Sequence, residues 1–192
     1  MTKDMTSGNP LKMILFFSFP VLLGNIFQQF YNMVDTIIVG QYLGEEALAA
    51  VGSTGCLMFL VLGFANGIAQ GFGVMISHAF GAKDFKLLKH YVALSLMLTL
   101  IVSVILTIPT VAASKAFLIL MKTPDNILGL ADSYIKVIFA GIILTMSYNV
   151  ASGILRGIGD SKTPLYFLIL SSVLNIGLDL FFIIVIKLGT AG

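Results

Sequence analysis

The stretch MILFFSFPVLLGNIFQQFYNMVDTIIV, residues 13–39, decides the fold of this chain. It is longer than the about 20 apolar residues that a membrane-spanning helix needs, and Asp35 is its only charged residue. A carboxylate at the bilayer centre costs about 2.5 to 3.5 kcal/mol on insertion scales, so such a residue usually faces a cavity and has a function. A second acid, Asp179, lies in the apolar run 166–186. Two intramembrane acids in different spans indicate a site that takes up and releases a cation.

The composition shows whether the chain folds in water or in lipid. Hydrophobic residues make up 58% of the chain and charged residues 10%, whereas a soluble domain carries about 25% charged residues. The chain is therefore an integral membrane protein whose first partner is the lipid bilayer, with no room for a soluble domain. The net charge of +2 is too small to indicate a nucleic-acid partner. The single cysteine, Cys56, excludes a disulfide within the chain.

Five apolar runs predict five membrane spans, each longer than the hydrocarbon core requires. Lipid satisfies no backbone polar groups, so the spans must be helices or strands of a closed barrel. Continuous apolar runs of this length exclude the alternating pattern of barrel strands. The predicted fold is an all-α, polytopic transmembrane helix bundle with helices at about 11–39, 47–80, 91–113, 127–155 and 164–187.

Prolines and glycines predict local features of these helices. Pro20 lies inside the first helix and Pro109 inside the third, where proline produces kinks. Gly63, Gly67 and Gly71 recur every four residues in the second helix. Such a flat strip of small residues is typical of close helix packing in membranes.

The distribution of basic residues predicts the orientation of the chain. With the N-terminus in the cytoplasm, seven lysines and arginines fall on the inner side and four on the outer side, which supports that orientation. We therefore expect a multi-pass protein of the plasma (inner) membrane. The inner residues are Lys3, Lys12, Lys83, Lys86, Lys89, Arg156 and Lys162, and the outer ones are Lys115, Lys122, Lys136 and Lys187.

Three helices carry polar stripes that predict a water-filled or ion-binding interior. Helical periodicity puts seven polar residues of the first helix within about 120° of each other. In the fifth helix Asn175 lies one turn before Asp179, so both share a face. The alternative is that the amides only form interhelical hydrogen bonds, worth about 0.6 kcal/mol each. The stripes are Ser18, Asn25, Gln28, Gln29, Asn32, Asp35 and Thr36; Asn66, Gln70 and Ser77; and Ser171, Asn175 and Asp179.

Catalytic and metal-binding functions have weaker support. Gly157-Ile158-Gly159-Asp160 matches a pattern of intramembrane aspartyl proteases, but a polar turn follows Asp160 on the basic side, so no enzyme is predicted. His78 and His90 are not part of a ligand cluster, so no metal site is expected. Tyr134 near a membrane edge is typical of an interfacial aromatic residue.

Four segments, taken together and in order, resemble the multidrug and toxic compound extrusion (MATE) transporters. The first resembles the end of that family's first helix and the start of its second; the others resemble the loop between helices two and three, the loop between helices four and five, and the fifth helix. Leucine at 180 and histidine at 78 depart from residues common in the family. The matching segments are Val34–Gly52, Gly81–Asp84, Leu155–Pro164 and Asn175–Phe182.

This resemblance implies a fold and a function beyond what the spacing shows. Family members have twelve helices in two lobes and exchange protons or sodium for organic, often cationic, drugs. The chain resembles the N-terminal lobe, with no cofactor other than the coupling ion. The resemblance implies a cation site at Asp35, Asn175 and Asp179, with weaker matches at Gln28 and Tyr134, and a helix kink at Pro20.

The chain stops at Gly192, where a sixth helix is expected to begin, and residues 188–192 resemble the entry to that helix. We therefore expect residues 1–192 to be a fragment or truncated product that lacks the sixth helix and the C-terminal lobe, its missing partner. Two alternatives to transport remain open. A non-transporting scaffold, or truncated pseudo-transporter, would need no buried acids. A lipid-linked sugar flippase would need a cationic lumen, yet the predicted interior holds acids and no arginine or lysine.

Overall fold

The computed structural model describes residues 10–186, which form helices joined by short turns. The helices are α1 (Pro10–Tyr42), α2 (Glu45–Gly81), α3 (Phe85–Leu120), α4 (Asp125–Ala140), α5 (Ile142–Gly157) and α6 (Lys162–Leu180), which continues as a π-helical segment, Phe181–Ile186. Helices α1, α2, α3 and α6 are each long and apolar enough to cross a membrane. The predicted all-α membrane bundle is confirmed. The predicted entry to a sixth span, residues 188–192, lies outside the described residues.

The fourth predicted span, 127–155, is not one straight helix. It consists of α4 and α5, which meet at Gly141 at an angle of 44°. The Gly141 amide donates to the carbonyls of Val137 and Ile138, both at 3.1 Å, so the bend leaves this amide satisfied. A Cβ at Gly141 would lie 3.3 Å from the Ile138 carbonyl oxygen, which explains why glycine fits this position. If the bent pair counts as one span, the described residues contain five.

Helices α3 and α6 begin where aspartates bind free backbone amides. Asp84 accepts a hydrogen bond from the Leu87 amide at 2.9 Å, and α3 starts at Phe85, six residues before the predicted start of that span. Asp160 accepts from the amides of Lys162 and Thr163, both at 3.1 Å, and from the Thr163 hydroxyl at 2.7 Å. Such bonds satisfy the free amides of a first helical turn, so both helices extend beyond their predicted apolar runs.

The predicted glycine strip is not the close contact between helices. A Cβ at Gly63, Gly67 or Gly71 would meet no atom within 4 Å among the described residues, so the prediction for these positions was wrong. The close approach instead joins α2 to α5, where a Cβ at Gly153 would lie 3.8 Å from the Cα of Gly73. The general expectation that small residues let membrane helices approach holds at this pair.

The bundle has two groups of helices. Helix α2 packs extensively against α5, and both pack against α3, while α1 packs mainly against α6. Contacts of α1 with α2 and of α5 with α6 are far less extensive. The apolar core lies within the larger group of α2 to α5, and a polar cavity separates that group from the pair α1 and α6. Core residues include Leu118, Ile127, Ala131, Ile135, Phe139, Ile142 and Met146.

Helices α1 and α3 run past the two prolines predicted to kink them, Pro20 and Pro109, as continuous elements. Pro20 is buried and lines an apolar groove beside Phe16 and Leu165, between α1 and α6. The kink at Pro20 and its role in conformational change stay predictions.

Candidate cation site

The packing of α1 against α6 brings the two intramembrane acids together. Asp35 on α1 and Asp179 on α6 are both partly buried, and the charge of Asp35 acts on Asp179. Like charges in a medium of low dielectric repel each other strongly. Within residues 10–186 neither acid makes a salt bridge. A proton on one carboxyl group, or a cation held between the two, would relieve this repulsion.

Two oxygen atoms on α6 lack hydrogen-bond donors. The Asn175 Oδ1 and Asp179 Oδ2 atoms are buried, and neither has a partner among residues 10–186. Buried acceptors in folded proteins are nearly always satisfied, so each unsatisfied one needs an explanation. A carboxylate and an amide oxygen one helical turn apart are hard ligands, suited to a proton or an oxygen-seeking cation such as sodium.

Tyr31 belongs to this cluster although it was not among the predicted site residues. The Tyr31 hydroxyl lies near the Asn175 side chain and within electrostatic range of both aspartates. The signal was present in the sequence: Tyr31 lies four residues before Asp35, the spacing that also joins Asn175 to Asp179.

Tyr134 reaches the same cluster from α4. It is partly buried, and the charges of Asp35 and Asp179 both act on it. The structure therefore places Tyr134 within electrostatic range of the acids, whereas its default interpretation was an interfacial aromatic residue. The residues of the candidate site lie on α1, α4 and α6, so they come from both helix groups of the bundle.

Gln28 lies apart from the acids. It lines the polar cavity between the helix groups, together with Asn25 of α1 and Asn66 of α2. Gln28 precedes Asp35 by seven residues, or about 10 Å along a helix at 1.5 Å per residue. Pro20 is farther still, by about 22 Å on the same measure. The structure thus brings together Asp35, Asn175, Asp179 and Tyr134, but not Gln28 or Pro20.

The polar cavity has a volume of about 1110 Å³. Asn149 of α5 donates to Asn66 of α2 at 2.6 Å across one wall. Arg156 also lines the cavity, and its Nε atom is buried without a partner in the described part of the chain. Arg156 lies in the last turn of α5, just outside the predicted span 127–155 to which the expectation of an interior without arginine or lysine applied. The close packing of α5 on α2 brings this helix end into the cavity wall.

Metal ligands of the classical kinds do not cluster in this structure. Among the described residues, no group of three or more His, Cys, Asp and Glu side chains could hold a metal ion. The candidate site offers two carboxylates, one amide oxygen and tyrosine hydroxyls. This donor set suits a monovalent cation or a proton better than a tightly held transition metal.

A bundle of membrane-spanning helices that holds carboxylates between its helices is an architecture found in membrane transporters. The MatE family model matches residues 20–181. The chain is 35% identical over 189 residues to the probable multidrug resistance protein YpnP of Bacillus subtilis (strain 168), covering 98% of this chain and 42% of that protein. It is 38% identical over 162 residues to the probable multidrug resistance protein YoeA of the same strain, covering 84% of this chain and 35% of that protein.

Solved structures agree with this match. A crystal structure of MATE in the bent conformation has a TM-score of 0.90 at 34% identity, covering 100% of this chain and 43% of that chain. A MOP superfamily transporter from Pyrococcus furiosus has a TM-score of 0.91 at 34% identity, covering 98% of this chain and 41% of that one. The chain belongs to the MATE family, which consists of transporters rather than enzymes, and is a multi-pass membrane protein. It spans about two fifths of the length of the first two relatives.

Proposed function

We propose that this chain is the ion-coupling lobe of a secondary active antiporter that exports organic, often cationic, drugs in exchange for protons or sodium. The observation that carries the proposal is the pair of unsatisfied buried oxygens, Asn175 Oδ1 and Asp179 Oδ2, beside the charge of Asp35. Relatives named as probable multidrug resistance proteins support the direction of transport. No cofactor beyond the coupling ion is part of the proposal.

The mechanism is a competition for two carboxylates. A proton or sodium ion relieves the repulsion between Asp35 and Asp179, and an organic cation can relieve it instead. When two ligands stabilise the same charged groups in different conformations, the binding of one changes the affinity for the other by a reciprocal factor. An ion moving down the membrane potential supplies about 2.3 kcal/mol per charge per 100 mV. In this proposal a second lobe, as in relatives more than twice as long, completes the transport path.

The test compares acid-to-amide variants in the purified chain with two measurements that distinguish the ions. One is binding of radioactive sodium; the other is proton release into weakly buffered solution when tetraphenylphosphonium is added. We expect the wild type to give at least one signal and Asp35→Asn and Asp179→Asn each to lose it. The double variant should be no worse than either single variant, since residues that act as a unit are not additive.

Asp125→Asn is the matched control, because Asp125 is an exposed acid in the first turn of α4, outside the cluster. It should keep the wild-type signal. A full signal from folded Asp179→Asn protein would contradict the proposal and favour the non-transporting scaffold. A wild-type chain that neither binds sodium nor releases protons would contradict it equally.

We also propose that the chain lies in the plasma (inner) membrane with its N-terminus in the cytoplasm, on the basis of the lysine and arginine distribution. In a Cys56→Ser background, Asp84→Cys and Ser161→Cys should resist an impermeant thiol reagent added outside intact cells, while Glu46→Cys should react. All three positions lie at or beside helix ends. Labelling of the first two with protection of the third would reverse the orientation.

A further inference from the structure

The polar cavity between the helix groups is positively charged. Of the described residues that line it, two are cationic, Lys83 and Arg156, and none is acidic. The remaining polar lining is neutral and consists mainly of amides and hydroxyls. By charge, this cavity differs from the candidate cation site, whose ionisable groups are two aspartates and tyrosines.

The acids nearest in sequence to these two cations are engaged elsewhere. Asp84, next to Lys83, accepts a hydrogen bond from the Leu87 amide at the start of α3. Asp160, four residues after Arg156, accepts hydrogen bonds from Lys162 and Thr163 at the start of α6. Both carboxylates therefore bind the amides at helix ends, and among residues 10–186 no hydrogen bond joins either one to Lys83 or Arg156.

Arg156 has an unsatisfied donor at this surface. Its Nε atom is buried and has no hydrogen-bond partner among residues 10–186. A guanidinium carries five donors arranged for planar, two-point binding of a carboxylate or phosphate. A buried donor left unpaired carries a desolvation cost that an anionic ligand would remove. The close approach of α5 to α2 at Gly73 and Gly153 holds this part of α5 against the cavity.

We propose that this cavity binds the carboxylate group of an amphoteric organic molecule, with Arg156 as the anion contact. This inference rests on the proposed transport function and assigns Arg156 as the residue that selects molecules with a carboxylate as well as a cationic centre. Drug-sized ligands occupy pockets of about 300 to 1,000 Å³, and this cavity of about 1110 Å³ accommodates one. Its aromatic lining, Phe17, Phe80, Phe85 and Tyr148, provides flat surfaces for a ring system.

Two dyes that differ at one group test the proposal. Rhodamine 110 carries a xanthylium cation and a free carboxylate, and rhodamine 123 is its methyl ester, so only the first offers an anion. Binding of both to the chain in phosphatidylcholine nanodiscs is measured by fluorescence anisotropy. We expect rhodamine 110 to bind about tenfold more tightly, the factor typical of one charge-assisted hydrogen-bonded contact.

Variants at Arg156 assign the contact. Arg156→Gln should weaken rhodamine 110 about tenfold and leave rhodamine 123 unchanged, and Arg156→Lys should recover part of the loss because it restores charge without the planar fork. Lys86→Gln is the matched control, since it removes a positive charge from an exposed position at the same end of the bundle. It should change neither dye. If Arg156→Gln does not fold, Lys83→Gln is the second test: it should weaken the binding of rhodamine 110 by about threefold and leave the binding of rhodamine 123 unchanged.

Several results would overturn the inference. Equal binding of the two dyes, equal loss of both in Arg156→Gln, or the same loss in Lys86→Gln would each refute an anion contact at Arg156. Displacement of rhodamine 110 by phosphatidylglycerol in the nanodisc would assign the site to a lipid headgroup instead. Asp179→Asn distinguishes this inference from the proposed ion-coupling function. Both predict that this variant loses the ion signal and binds rhodamine 110 as tightly as the wild type does. Failure of the dye experiment with a normal ion signal refutes this inference alone.

Discussion

Replacing Gly157 with alanine tests the packing that carries α5 into the cavity wall. A Cβ at this position would lie 3.1 Å from Cγ2 of Ile76, 3.2 Å from the carbonyl oxygen of Gly73 and 3.3 Å from the amide nitrogen of Ser77. Favourable contacts between carbon atoms lie at about 3.5 to 4.0 Å. Two of the three neighbours are backbone atoms, so side-chain rotation alone cannot make room, and the end of α5 must move by a few tenths of an ångström.

The size of the effect follows from two opposing contributions. Forcing an extra methyl group into a close-packed contact costs about 1 to 3 kcal/mol. Alanine gains up to about 1 kcal/mol over glycine inside a helix, but Gly157 is the last residue of α5, so it gains only part of that. We therefore expect Gly157→Ala to lower the free energy of unfolding by about 1 to 2 kcal/mol.

Two other glycines are controls with graded room. A Cβ at Gly153 would meet the Ala69 carbonyl oxygen at an ordinary 3.6 Å, and a Cβ at Gly67 would meet nothing within 4 Å. Gly153→Ala should therefore be near neutral, and Gly67→Ala neutral or stabilising by up to about 1 kcal/mol. The assay is unfolding by sodium dodecyl sulfate in mixed micelles, followed by far-ultraviolet circular dichroism.

From the most to the least stable variant, the predicted order is Gly67→Ala, Gly153→Ala and Gly157→Ala. Gly157→Ala protein as stable as Gly67→Ala protein would show that α2 and α5 are not in close contact at this end. Destabilisation by Gly67→Ala alone would restore the sequence-based prediction that the strip at positions 63, 67 and 71 is the packing surface.

Three further predictions address single contacts. Tyr31→Phe removes a hydroxyl that lies within electrostatic range of both aspartates, so the concentration of ion or proton required for half-saturation should shift several-fold. An unchanged binding curve would show that Tyr31 is not part of the site. Burial raises the pKa of the Asp160 carboxyl, but hydrogen bonds from Thr163 and Lys162 outweigh it, and the pKa lies below its ordinary value. The ionised form therefore stabilises the fold above about pH 4. Asp160→Ala should lower the free energy of unfolding by about 1 kcal/mol at pH 7, and this difference should shrink as the pH falls below about 4. A difference that is constant from pH 7 to pH 3 would contradict this account. Ser114 is fully buried and donates a hydrogen bond to the Asp132 carboxylate at 2.6 Å. Ser114→Ala should therefore lower the free energy of unfolding by about 1 kcal/mol in the same assay. A variant as stable as the wild type would show that this hydrogen bond makes no net contribution to stability.

The sequence was sufficient to predict a membrane protein, an all-α fold and the location of most helices. Long apolar runs have one stable solution in lipid, because only helices satisfy every backbone group within one segment. The two acids could also be identified, since Asp35 and Asp179 interrupt runs in which a charge is costly. Helix ends were harder to predict, because Asp84 and Asp160 extend α3 and α6 through hydrogen bonds that hydropathy does not measure.

Other features depend on which helices touch, and one sequence does not specify that. Gly141 is one glycine among many, and only its position between α4 and α5 shows that the fourth span bends there. The glycine strip of α2 met the pattern for close packing, but α5 approaches α2 at Gly73 instead. Arg156 resembled an ordinary loop residue beside a polar turn. The contact between α2 and α5 turns it into a cavity residue, which helical periodicity on a single chain segment cannot reveal.

The arrangement of the two sites has a consequence for the proposed mechanism. The aspartates lie on the pair α1 and α6, whereas Tyr134 and Arg156 lie on the larger group of α2 to α5. Both sites therefore lie at the boundary between groups that contact each other weakly and are each packed well internally. A ligand changes a conformational equilibrium only through its different affinity for the two states. An ion on the aspartates and a carboxylate on Arg156 would both act across this boundary, so the relative position of the two helix groups is the element through which the proposed antiporter couples ion and substrate.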